Sequence, residues 1–129
     1  TDVGLRFKSL RGRGGVVRNI NIENIYMKDI IGDAIIFNLF YAGKPATEAD
    51  KDGNAEAIPQ VDETTPEFRD INISNIICNG AKSAVYVNGL PEMPVSNLSI
   101  KDCIFRAKKG IETHNVQNFK QDNVQFIQQ

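Results

Sequence analysis

The sequence predicts an all-β protein, a parallel β-helix fragment of about four coils, on three observations. Four segments align without gaps, a second set of short alternating segments interleaves with them, and two columns of Asn and Asp hold fixed positions in the alignment. Composition agrees: the chain has no Trp, little helical periodicity, and a surplus of Ile, Val and Asn.

The pattern starts at Gly4-Leu5-Arg6-Phe7-Lys8. Successive strand side chains point to opposite faces, so Leu5 and Phe7 go inward and Arg6 and Lys8 stand side by side outside. From the strand alone the pair reads as a solvated basic edge, because exposed charges are normal, but two cations on one face also suit an anionic ligand. The same short pattern returns at Ala34-Ile35-Ile36-Phe37-Asn38, Ala84-Val85-Tyr86-Val87-Asn88 and Gly110-Ile111-Glu112-Thr113-His114. Each copy has a small residue, two inward apolar positions and outward polar or variable ones.

Between these lie the longer segments. They run Val17-Arg18-Asn19-Ile20-Asn21-Ile22-Glu23-Asn24-Ile25, then Phe68 to Ile76, Val95 to Cys103 and Val116 to Val124, with starts separated by 51, 27 and 21 residues. Stacking coils at about 4.8 Å puts equivalent residues above one another, so Ile20, Ile71, Leu98 and Phe119 form one internal stack. Asn24, Asn75, Asp102 and Asn123 share one position, which predicts a structural Asn ladder at a turn, with amides bonding from coil to coil and Asn75 buried there. Asn19, Asp70, Asn97 and Asn118 make a second polar column. A flat β-sandwich would also alternate, but gives no reason for two registered Asn columns.

Two stretches depart from the repeat. Residues 42–66, which begin Ala42-Gly43-Lys44-Pro45, form a surface loop inserted within one coil, poor in apolar residues. Within it Asp50, Asp52, Asn54 and Glu56 alternate as in part of a calcium loop, but the full spacing and the bidentate Glu are missing, so the stretch reads as solvated and acidic. The last copy carries Gln121 at an inward Ile position and ends in Gln128-Gln129, as a polar terminal coil would. Cys103 aligns with Ile25 and Ile76, and Cys78 with Met27, so their Cα atoms are expected about 8 Å apart, beyond disulfide reach. Both read as buried small hydrophobes.

With 129 residues the chain reads as a single unit over 1–129, and 15 Lys and Arg against 16 Asp and Glu leave a net charge of −1. Bulk charge therefore does not call for nucleic acid, and no apolar run approaches the ~18 residues of a membrane-spanning helix. No metal-ligand spacing is present. The chain opens almost directly in a strand, with no signal peptide before Thr1, and is expected to be a piece of a longer polypeptide.

The run Gly4-Leu5-Arg6-Phe7-Lys8-Ser9, then Arg11-Gly12-Arg13-Gly14-Gly15 and Val17-Arg18-Asn19-Ile20-Asn21-Ile22, resembles the C-terminal part of a polygalacturonase-like glycoside hydrolase of family 28, a member of the pectin lyase-like β-helix superfamily. The resemblance is good over residues 1 to about 41 and rests on the repeat beyond. It implies a right-handed parallel β-helix, inverting hydrolysis of galacturonan or related pectin chains, no cofactor, and a secreted or periplasmic location. It also implies that Arg6 and Lys8 bind the acidic sugar on the leaving-group side of the scissile bond. Tyr41, at the end of the next strand, matches a Tyr of the same subsite, and otherwise reads as a rim aromatic beside a long loop. The family's catalytic Asp residues lie in Asn-Thr-Asp and Asp-Asp motifs near a Gly-His-Gly motif, and none of these occurs here. Hydrolysis with inversion needs an acid and a base carboxylate about 6.5–9.5 Å apart, so the catalytic residues are expected outside this chain and the fragment alone is expected to be inactive. Self-association through an exposed first coil is expected.

The single histidine, His114, falls in the column of Lys8, Asn38 and Asn88, which is read as an outer polar stripe. Such a stripe could extend a sugar cleft, although a solenoid surface is polar in any case. Two other readings share the fold: a polysaccharide lyase, which needs Ca²⁺ beside a basic residue, and a non-catalytic β-helix such as an adhesin or tailspike segment. The first lacks a carboxylate cluster near Arg6 and Lys8, and the second gives no reason for paired cations.

Overall fold

A computed structural model describes residues 3–9, 14–39 and 61–129. The described residues hold eight strands: β1 (Leu5–Lys8), β2 (Val16–Lys28), β3 (Asp33–Asn38), β4 (Glu67–Asn79), β5 (Ser83–Asn88), β6 (Val95–Ala107), β7 (Lys109–His114) and β8 (Val116–Gln128). Odd strands form one sheet in the order β1-β3-β5-β7 and even strands another, β2-β4-β6-β8, and every pairing is parallel. This is the parallel β-helix of the repeat. Each coil takes one short and one long strand.

The gap-free alignment is the observed register. Ile20 pairs with Ile71, Ile71 with Leu98, and Leu98 with Phe119. Burial of such stacks drives the fold, since each fully buried Leu or Ile contributes about 1.5–3 kcal/mol. In the two inner coils it is complete: Ile71, Ile73, Ile76, Leu98, Ile100 and Cys103 are at most 1% exposed. The outer coils, with Ile20, Ile22 and Ile25 on one side and Phe119 and Val124 on the other, are only partly buried. Cys78 sits between Met27 and Phe105, and Cys103 beside Ile76. Both cysteines are buried and free, and burial pushes both thiols above their ordinary pKa.

The two Asn columns have a backbone cause that alternation alone does not reveal. All eight residues of Asn19, Asp70, Asn97, Asn118 and Asn24, Asn75, Asp102, Asn123 lie at φ between 54° and 63°. That left-handed region is costly for most L-residues, and Asn and Asp are among the few that visit it. The pairing of β2 with β4 is interrupted at Asn19 and Asn24, and the same two positions are skipped in the later pairs. Each long strand is therefore three short extended runs joined by two sharp bends.

Ladder hydrogen bonds run from a later coil to an earlier one. The Asn75 amide Nδ2 donates to Asn24 Oδ1, and Asn123 Nδ2 donates to Asp102 Oδ1 at 2.9 Å. In the second column Asn97 Nδ2 donates to Asp70 Oδ1 at 2.9 Å and Asn118 Nδ2 to Asn97 Oδ1 at 3.1 Å. Asp can stand at an accepting position because a carboxylate only accepts. One expectation needs correction: Asn75 is exposed, not buried, because the bend throws its side chain to the outside of the corner. The reading of Asn88 as an outer-face residue needs the opposite correction. It lies in the outward column yet is 0% exposed, enclosed in an inner coil between Asn38 and His114.

Of the stretch 42–66 expected as an inserted loop, residues 42–60 lie outside the described residues, and the description resumes at residue 61. Asp62 Oδ1 accepts from the Thr64 backbone N–H at 2.8 Å and from the Thr64 hydroxyl, which holds its carboxyl below the usual range. The returning chain then lies against the Gly-rich run: Gly14 N donates to Thr64 O at 2.9 Å and Glu67 N to Gly15 O at 3.0 Å. Gly14 has φ of 64°, and a Cβ there would collide with Glu63 O. Only glycine suits that position.

These bends predict how the ladder fails. Asn75→Ala combines a left-handed Ala, at about 1–2 kcal/mol, with loss of one solvent-exposed hydrogen bond, a fraction of the usual ~1 kcal/mol. A fall in melting temperature of roughly 5 °C is expected by circular dichroism. Asn75→Gly deletes the same amide but tolerates the backbone, and should lose less. Equal losses would show that the amide bond, not the bend, is what matters.

Candidate functional site

The site starts from Phe7. Its ring stacks on Phe37 of the next coil at 4.3 Å and 7°, and both rings meet the edge of Phe68 from the opposite sheet, at 6.4 and 6.2 Å. Offset and edge-to-face pairs of this kind add about 0.5–1.5 kcal/mol each beyond area burial. They anchor the short strand β1, whose start is tied by Gly4 N to Asp33 O at 3.2 Å. With Leu5 and Phe7 turned inward, Arg6 and Lys8 are both exposed on the opposite face. Their Cα atoms are about 6.6 Å apart along the strand.

Parallel pairing extends this face over the four coils. Arg6 lies beside Ile36, Ile36 beside Tyr86, and Tyr86 beside Glu112; Lys8 lies beside Asn38, then Asn88 and His114. The polar column is internally connected. Asn88 Nδ2 donates to Asn38 Oδ1 at 3.3 Å, His114 Nε2 lies 2.9 Å from Glu112 Oε2, and the Tyr86 and His114 rings are 6.0 Å apart. His114 thus sits in the column expected of it, engaged with Glu112.

The sequence-predicted residues divide in two. Arg6 and Lys8 are on one face of β1. Tyr41 lies outside the described residues, as do Asp50, Asp52, Asn54 and Glu56. Among the described residues no three His, Cys, Asp or Glu side chains converge as a metal site would require.

Other side chains of this face escaped the sequence reading. Ile36, Lys82, Tyr86, Lys109 and Glu112 line a cleft of about 430 Å³ on the odd-strand sheet. Tyr86 could have been found, since in the gap-free alignment it occupies the column of Arg6. Lys82 and Lys109 could not, because they sit at the corners before β5 and at the start of β7, where alternation does not apply.

What the face can do chemically is hold an extended anionic chain. It has two cations at the first coil, an aromatic ring two coils on, and fixed hydrogen-bonding groups between. A family model described as Glycosyl hydrolases family 28 matches residues 1–125. No curated protein matches the chain.

Proposed function

The chain belongs to glycosyl hydrolases family 28, and on that premise we propose that it forms part of a pectin- or galacturonan-degrading hydrolase, in which Arg6 and Lys8, with Tyr41, bind the sugar acid on the leaving-group side of the scissile bond. The observation that carries this reading is the exposure of Arg6 and Lys8 side by side on one face of an aromatic-anchored strand. Arg offers a planar fork matched to a carboxylate, and Lys a point charge beside it. Neither cation performs acid–base chemistry. They fix the register of the polymer and neutralise the carboxylate adjoining the reacting bond, so that the polymer is oriented as the bond breaks.

The acid and base carboxylates belong, on this reading, to coils stacked on the β1 and β2 side. The motifs expected to supply the catalytic pair are absent from the sequence, which supports this placement. A secreted or periplasmic enzyme that meets the polymer outside the cytoplasm fits the same reading.

Three outcomes follow. In the longer protein that contains this chain, Arg6→Ala and Lys8→Ala should each lower kcat/KM on galacturonan roughly ten- to a hundred-fold, the loss of one charge-assisted contact of about 1.5–3 kcal/mol. The loss should shrink on a methyl-esterified polymer, whose charge is gone; parental kcat/KM in both variants would sink the assignment. The 129-residue chain by itself should release no reducing ends from polygalacturonate, and turnover above buffer by purified chain would refute the placement of the carboxylates. Finally, β1 and β2 have no strand paired on their far side among the described residues, and an edge of that kind with a partly exposed apolar coil templates association. Sedimentation velocity should show concentration-dependent dimers or larger species, and a monomer at all concentrations would contradict this.

A further inference from the structure

The cleft on β3, β5 and β7 holds residues that the Arg6 and Lys8 reading does not use. We propose that it is a second sugar-acid subsite, centred on Tyr86, which grips the same polymer further along from the sugar held at β1. The proposal deepens that reading and rests on it for the identity of the polymer. Register supplies the first argument: Tyr86 occupies the Arg6 column two coils away, about 10 Å along the stack at the interstrand spacing. A chain laid along the columns from Arg6 therefore crosses Tyr86.

The chemistry of the lining supplies the second. Tyr86 is half-buried and presents a flat ring beside Ile36, an apolar floor against which the C–H face of a pyranose can lie. Lys82 and Lys109 are exposed at one end of the cleft. Lys109 N donates to Lys82 O at 2.8 Å, which sets the two residues side by side on neighbouring coils. Neither is ion-paired among the described residues. Both lysines line the same end of the cleft, so a carboxylate placed there meets two cations. At the other end Glu112 is held by His114 at 2.9 Å and presents acceptor oxygens suited to hydroxyl groups. Asp33 shares the lysine end, in the register column of Ser83 and Lys109, so two cations stand against one carboxylate there: that end takes the sugar carboxylate, the Glu112 end the hydroxyls, and Tyr86 the ring between them.

Backbone amide shifts in the isotope-labelled chain, titrated with a galacturonate oligomer and separately with a neutral galactose oligomer, test this. Galacturonate should shift Ile36, Tyr86 and Glu112 as well as Arg6 and Lys8, and the neutral oligomer should bind the cleft at least ten-fold more weakly. Tyr86→Ala and the double variant Lys82→Glu with Lys109→Glu should each weaken the cleft response ten-fold or more while β1 still responds. The charge-reversed variant changes only surface residues, so it remains informative if Tyr86→Ala does not fold. Shifts confined to β1 would overturn the subsite and leave the Arg6 and Lys8 reading intact. Shifts at Tyr86 without β1 would keep the subsite and remove that reading, equal binding of the neutral oligomer would overturn the sugar-acid assignment of the cleft, and no shifts at either place would overturn both.

Discussion

Twice in every long strand the backbone turns through a positive φ, and at all eight of these points the side chain is Asn or Asp. The bends are what allow a coil to close. Extended chain runs straight, and a 13-residue strand such as β4 would be more than 40 Å long at about 3.3 Å per residue. Two left-handed residues break it into three short runs that wrap the core. Glycine would reach the same φ, but has no side chain to bond to the next coil and loses more entropy on folding. Asn and Asp supply the conformation together with an amide or carboxylate that ties one corner to the one above it.

The inward stacks depend on those corners. Because the bends recur at the same register, Ile71 meets Leu98 and Ile73 meets Ile100 at every level, and the core needs no knobs-into-holes matching between different elements. The same register places Gln121 where Ile22, Ile73 and Ile100 stand, in the coil that has no neighbour beyond it among the described residues.

The outer face of the odd-strand sheet inherits the same regularity. A parallel stack repeats a side chain at nearly constant spacing, so a face that binds one unit of a polymer at one coil offers comparable positions at the others. Here those positions differ in chemistry, with Arg6, Ile36, Tyr86 and Glu112 in one column. The family membership supplies the class of substrate, and the order of residues along the column suggests how a chain could lie across it.

Register, the inward stacks, the separation of the two cysteines and the paired cations were determined by the sequence, because alternation and coil repeat are periodic and local. The Asn columns were visible as well, though as a hydrogen-bonded ladder with Asn75 buried, and it took the backbone to show that the same residues are exposed left-handed bends. Burial in the outer columns was not legible. Lys8 and Asn88 share a column, yet one is exposed and the other fully enclosed, since exposure depends on whether a coil has neighbours on both sides and on the chain that crosses it. The cleft of Lys82, Tyr86 and Lys109 was likewise decided by tertiary structure. Its two lysines come from corners, where side-chain direction follows the bend of the backbone and not the two-residue period of a strand.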